Sequence, residues 1–208
     1  VERAESQRQG LRYTHVVYTR SDLHWLHPPP PLALFDASRV WVPEGQENGG
    51  INDRHAVLPR RYAAEYLSRW SSILSGRASS DVRAGSNASG GRVTTERFLL
   101  LHLRARGVPV GVFDPAAGVR CCRPGTQHCF RLETTATLGE WEFLAPRRPD
   151  DALGAERRMA GSSSCFKYRN EANDALRTVD ILDAGGGWAR TSADRVRAVA
   201  GPRGLATE

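Results

Sequence analysis

Three carboxylates stand where their chemistry could be used. Asp22 follows Arg20 and Ser21 at the exit of the run Tyr13–Tyr18, which is rich in β-branched and aromatic residues. Asp53 closes the glycine-led string Gly49-Gly50-Ile51-Asn52-Asp53 and is followed by Arg54. Glu96 comes just after Thr94 and Thr95, ahead of Phe98, Leu99, Leu101 and Leu103. A carboxylate at a strand exit can hold a divalent cation or a ligand, because ligands of open α/β sheets collect beyond the carboxyl ends of strands. A carboxylate on a glycine-rich loop can take a proton from a hydroxyl, or accept a hydrogen bond from one, while the backbone comes close. Each acid also has a plainer reading: Asp22 as a turn or cap residue, Asn52-Asp53 as a turn satisfying its own backbone, and Glu96 as a first-turn acid favoured by the helix dipole.

The elements that must position these residues read as a mixed α/β order. Residues 1–10 are helix-compatible, with Gly10 as a stop. Tyr13–Tyr18 shows little alternation, as expected of a central strand buried on both faces. Pro28–Pro31 makes a rigid extended connector. Arg39–Pro43 reads as a second strand, and Glu44–Asp53 as a polar loop. From Leu58 to Leu74 apolar residues recur at three- and four-residue steps, with Pro59 suited to a first turn, so a helix is expected there. Residues 76–92 read as a flexible loop. A helix then opens at Thr94 or Thr95 and ends at Gly107. Val108–Phe113 reads as a strand, placed at an edge by Pro109. Short strands are expected near 131–136 and 141–144, a helix over 172–182 ended by Gly185-Gly186-Gly187, and a polar, poorly ordered stretch over 146–165. The sequence divides into residues 1–145, carrying the α/β domain, and 146–208, a polar or helical extension.

The chain has 208 residues, a net charge of +6 and a mean hydropathy of −0.46. Its positive charge is almost all arginine, Lys167 being the sole lysine, and it is scattered rather than gathered in a stripe, which argues against nucleic acid as partner. No stretch of about 18 apolar residues is present to span a membrane. Cys121, Cys122, Cys129 and Cys165 allow two disulfides without demanding them, and their spacing is not that of a zinc knuckle. With the sequon Asn87-Ala88-Ser89 they lean toward a secretory lumen such as the Golgi, the cytoplasm being the alternative. No Gly-x-Ser-x-Gly elbow and no Walker loop occurs.

Together, Glu5, the series Tyr13, Val16, Arg20, Asp22 and Leu23, the prolines 28–31, Val42-Pro43, Gly49-Gly50, Asn52-Asp53-Arg54, Ala56, and Tyr62 or Tyr66 form a pattern. Thr94, Glu96, Leu99, Leu103, Gly107, Val108 and Val110 continue it. Over about residues 1–115 the chain resembles GT-A-type glycosyltransferases, and within them an algal, plant and chlorovirus glycosyltransferase-like group. The resemblance implies a GT-A-like mixed sheet flanked by helices. It implies transfer of a sugar from a nucleotide-sugar donor to a glycan or other hydroxyl acceptor, with Mn²⁺ or Mg²⁺ on the diphosphate. It places Asp22 at the metal, Asp53 as general base or sugar-hydroxyl acceptor, and Glu96 as acceptor contact or alternative base. Arg20, Ser21, Gly49, Gly50, Asn52 and Arg54 would lie around the donor and its sugar. The family's Asp-x-Asp reads Arg20-Ser21-Asp22 here, so an arginine stands where the first acid belongs, and it can pair with a phosphate instead. The strands that bind the nucleoside in that fold precede the metal motif, so the chain reads as a piece of a longer protein lacking them. Two other readings fit the residues: a non-catalytic glycan-binding or scaffold descendant of the fold, and a basic nucleic-acid-binding module.

Overall fold

The computed structural model describes residues 1–8, 11–85, 93–119, 129–132, 141–144, 165–166 and 168–200. The fold is mixed α/β and divides into two compact units. The first comprises Val1–Arg20, Pro30–Phe113 and Trp188–Arg197; the second comprises Ser21–Pro29, Asp114–Gly187 and Ala198–Glu208.

The first unit is built on a six-stranded sheet. Its strands are β1 (His15–Thr19), β3 (Val40–Pro43), β4 (His55–Pro59), β5 (Val110–Phe113), β10 (Gly187–Ser192) and β11 (Arg195–Val199), in spatial order β1-β4-β3-β5-β11-β10. β4 runs antiparallel to both β1 and β3, whereas β3, β5 and β11 are mutually parallel. One end of the sheet therefore gathers the carboxyl ends of β1, β3 and β5 with the start of β4. That end carries Arg20, the Glu44–Asp53 loop and Arg54.

Alternation along the strands divides the core in two. Val40, Val42, Ala56 and Leu58 face α2 (Ala63–Leu67) and α5 (Thr95–Arg104), packing with Ala63, Tyr66, Leu99, Leu103 and Val108. Trp41, Val57, Phe113 and Val196 face the other way, onto Phe35, Leu34 and Trp188. Each large apolar side chain removed from water contributes roughly 1.5–3 kcal/mol. α5 is delimited by its own residues. The Thr94 hydroxyl accepts from the Arg97 amide at 3.1 Å, and at the far end left-handed Gly107 lets Val108 donate back to the Leu103 carbonyl at 3.0 Å. The short α1 (Glu2–Gln7) is pinned by buried Glu5, whose carboxylate takes both arms of Arg60 at 2.7 and 2.9 Å and the Tyr13 amide at 3.1 Å. Those bonds, the Arg60 one foremost, hold the Glu5 carboxyl down to about 2.

The second unit pairs β2 (Leu23–Trp25) antiparallel with β6 (Ala117–Val119). α6 (Arg169–Asp183) packs on β6, its buried Glu171 accepting from the Val119 amide at 3.1 Å. A separate sheet sets β7 (Cys129–Leu132) between β8 (Trp141–Leu144) and β9 (Cys165–Phe166).

Several local expectations are revised. β1 is an edge strand with Val17 half exposed, because only β4 pairs with it. β5 is interior: Pro109 lies just ahead of the strand and needs no ladder donor. Leu58 and Pro59 finish the fully buried β4, so the helical stretch starts at Ala63, after a 3-10 turn over Arg60–Tyr62, and continues as α3 (Arg69–Leu74). Within 76–92 the chain forms α4 (Ala78–Gly85). Gly185 ends α6 as expected, but two further strands follow it and complete the sheet. Gly10, the sequon at 87–89, Cys121 and Cys122 lie outside the described residues, as do the side chains of Cys129 and Cys165.

Candidate functional site

The loop between β3 and β4 is held in a demanding backbone. Gly45, Gln46, Asn48 and Gly49 all adopt positive φ, at 91°, 58°, 43° and 80°. Such conformations cost about 1–3 kcal/mol for a non-glycine residue and persist only where the surroundings fix them. Here the fixing is visible. Gly45 donates to the Glu47 carboxylate at 2.6 Å, and Gly50 donates to the Glu47 carbonyl at 2.6 Å. The Thr94 hydroxyl donates to the Asn48 carbonyl at 3.0 Å, and the Asn48 amide donates to the Glu96 carboxylate at 2.8 Å. Ile51 donates to the Glu96 carbonyl at 3.2 Å. Gly50 lies against the first turn of α5: a Cβ there would fall 2.0 Å from the Glu96 backbone and 2.2 Å from the Arg97 nitrogen. Glycine at this position is thus required by the seating of the loop on the helix.

Glu96 is fully engaged by this seating. Burial acts to raise its carboxyl, but its own amide and hydrogen bonds from Asn48 and Thr95 outweigh that and leave it lowered. Asn52 is buried, and its side chain serves the loop at both ends, donating to the Gly45 carbonyl at 2.9 Å and accepting from the Arg54 amide at 3.0 Å. Arg54 is itself buried, and its carbonyl accepts from the Arg20 amide at 3.0 Å, joining the exit of β1 to the entry of β4.

Asp53 is different. Its side chain is 16% exposed, its charge partner is Arg69 at 3.8 Å, and among the described residues no side chain or amide hydrogen-bonds to it. Arg69 donates to the Tyr18 hydroxyl at 3.1 Å and lies over the Tyr18 and Tyr66 rings, 5.3 and 5.4 Å from their centroids. The Tyr66 side chain is wholly buried and its hydroxyl has no hydrogen-bond partner. Burial pushes that hydroxyl's pKa up, with Arg69 opposing. A half-open acceptor and a buried, unsatisfied hydroxyl therefore flank one guanidinium. Unmade bonds of this kind are uncommon in folded proteins.

The structure thus brings Arg20, Gly49, Gly50, Asn52, Asp53, Arg54 and Glu96 together in the first unit, at one end of its sheet. Ser21 and Asp22 form the turn into β2 and belong to the second unit. Trp41 is a core residue, fully buried, its indole donating to the Asp36 carbonyl at 3.1 Å. Sequence reading missed Arg69 and the part played by Tyr18. Among the described residues no group of three or more His, Cys, Asp or Glu side chains is placed to hold a metal ion. No helix among them is long and apolar enough to cross a membrane. No protein-family model, no curated protein and no solved structure matches this chain.

Proposed function

We propose that the Asp53–Arg69–Tyr18–Tyr66 cluster binds a sugar, and that the chain is a GT-A-like glycosyltransferase domain using it to move that sugar from a nucleotide donor to a hydroxyl acceptor. One observation carries the reading: an ionisable acceptor and a hydroxyl are left without hydrogen bonds on either side of a fixed guanidinium. A carboxylate only accepts, a guanidinium only donates and a phenol does both. The complement of that set is a ligand bearing neighbouring hydroxyls. The position beyond the strand ends is where open α/β sheets bind ligands.

In the proposed reaction the acceptor oxygen attacks the anomeric carbon as its proton passes to the Asp53 carboxylate. The bond from that carbon to the diphosphate oxygen breaks, and its electron pair leaves with the diphosphate. Arg69 holds Asp53 in place and balances its charge. Glu96 shapes the loop that presents Asp53. No step here is assigned to a metal.

A second reading has its own support. The loop's internal bonding, with Asn52 and Glu96 both engaged, suits a glycan-binding module that performs no transfer. Both readings are tested by calorimetric titration of nucleotide sugars, followed by an assay for nucleotide release in the presence of hydroxyl acceptors. Release that depends on Asp53 supports transfer. Sugar binding without release supports the glycan-binding module, and no binding of any sugar removes both.

A further inference from the structure

For a helix that packs on a core, α3 is built the wrong way round. A single residue, Ser68, joins it to α2, and the Ser68 φ and ψ of −77° and −1° keep the right-handed turn. Leu67, Trp70, Ile73 and Leu74 recur at steps of three and four, so they share one side of that turn. The side faces water: the four residues are 45%, 64%, 44% and 71% exposed. What α3 buries is Ser72, whose hydroxyl accepts from Arg106 Nη2 at 3.4 Å. On the same face of the sheet α5 shows the ordinary arrangement, burying Phe98, Leu99, Leu101 and Leu103. Single exposed apolar side chains are common, but four large ones within one short segment mark a contact surface.

Charge decides what can cover it. From Leu67 to Ser80 the chain holds Arg69 and Arg77 and no acid. Arg69 is turned toward Asp53. Arg77 is exposed, its Nε donates to the Ser75 hydroxyl at 3.1 Å, and no acid among the described residues pairs with it. The chain as a whole carries a net charge of +6. A second copy would bring the same positive rim and the same net charge to the contact, and the two would repel. An anionic lipid surface supplies the opposite charge and, beneath it, an apolar layer for leucine, isoleucine and tryptophan to enter. Tryptophan among leucines, with an arginine at the margin, is the residue set of a helix lying in a membrane interface.

We infer that the exposed side of α2–α3 docks on an anionic membrane surface, with Leu67, Trp70, Ile73 and Leu74 entering the headgroup boundary and Arg77 meeting the lipid phosphates. α3 also carries Arg69, the partner of Asp53, so docking brings the candidate site to the bilayer surface. The membrane surface stands on α2–α3 and is independent of the proposed function.

The test is co-sedimentation of the whole chain with vesicles of phosphatidylglycerol mixed into phosphatidylcholine, with thermal melting of every variant as a folding check. Wild type should bind, and binding should weaken in high salt and on vesicles of phosphatidylcholine alone. Trp70→Ser combined with Leu74→Ser should weaken binding about tenfold or more, and should leave the melting temperature near that of wild type because both side chains are mostly exposed. Arg77→Gln should weaken it about fivefold. Brominated phosphatidylcholine in the vesicles should quench the tryptophan emission of wild type. Trp70→Phe should still bind but lose most of that quenching, which a surface elsewhere on the molecule would not produce. Asp53→Asn should bind vesicles as wild type does. Vesicle binding that follows these variants in a protein that transfers no sugar would sustain the membrane surface and remove the transferase reading. Absence of binding by wild type, or binding indifferent to the α3 changes or to the anionic lipid, overturns the proposal. Self-association that the Trp70/Leu74 change abolishes, in a protein that does not bind vesicles, also overturns it, because a second copy would then be the occupant.

Discussion

Glu96 and Asp53 sit at two ends of one loop-and-helix assembly and are treated in opposite ways. Glu96 receives hydrogen bonds from the Asn48 amide, the Thr95 hydroxyl and its own amide, which outweigh its burial and lower its carboxyl. Asp53, with a side chain only 16% exposed, receives none among the described residues and has a guanidinium at 3.8 Å. The first acid is bound into the architecture: it anchors a backbone that would otherwise not hold its positive φ angles. The second is held near its cation and otherwise left open. The contrast shows how a fold separates support from chemistry: the supporting acid is satisfied from within, and the acting one is satisfied by what binds.

The comparison can be broken most sharply at Asp53. Asp53→Asn keeps the shape and removes the base, so nucleotide release should fall by roughly 10²–10⁴-fold while the melting temperature stays near that of wild type. Undiminished release in that variant would end the assignment. The next largest effect is expected at Gly50. Gly50→Ala drives a Cβ into the Glu96 backbone, and chemical denaturation should report a loss of about 3 kcal/mol; a change near zero would show that the loop is not seated as described.

A third prediction concerns acid. His55 opens β4 two residues after Asp53, is buried, and meets the Phe113 ring edge-on at 5.7 Å. Burial lowers its pKa from 6.5 to about 4. The folded state therefore favours the neutral imidazole. This contribution is complete above pH 6.5 and is lost as pH falls toward 4, amounting to about 3 kcal/mol. Denaturation curves recorded across that interval should show the loss in wild type and not in His55→Asn. The smallest effect is expected at Glu96. Glu96→Gln keeps the shape but removes a charge from the first turn of α5 and weakens the bond to Asn48, which should cost about 1 kcal/mol of stability. Release should change by no more than a few-fold; a collapse comparable with that of Asp53→Asn would mean that both acids act on the ligand.

Much of the local structure was legible in the sequence. The strand read over Tyr13–Tyr18 and found at His15–Thr19, the β3 strand, the α5 helix with its Thr94 cap and Gly107 stop, and the last helix all follow from capping residues and apolar periodicity. What escaped was set by distant partners. Tyr13–Tyr18 looks like a central strand because its residue types suit burial, but its edge position depends on β4, about forty residues away. His55–Pro59 is a short apolar run whose proline suits a helix start equally well, and only its pairing with β1 and β3 decides for strand. At the site, the string Gly49–Arg54 marked the loop, yet the need for glycine at 50 comes from Glu96, invisible from either segment alone. Arg69 was missed because one arginine among many carries no local mark, and its meaning comes from Tyr18, Tyr66 and Asp53 converging on it.

The sheet's last two strands carry a consequence for how the chain reaches this state. β5 is flanked by β3 on one side and by β11 on the other, and β11 is some eighty residues further along the sequence. During synthesis, the first unit would emerge with the β5 edge open and its row of amides and carbonyls unmatched until residue 199 had left the ribosome. Closing that edge joins the most separated parts of the chain, a slow kind of step in folding. A chain stopped before Gly187 would keep the whole β3–β4 loop and its acids but display an unpaired strand, and it would be prone to join other such chains edge to edge.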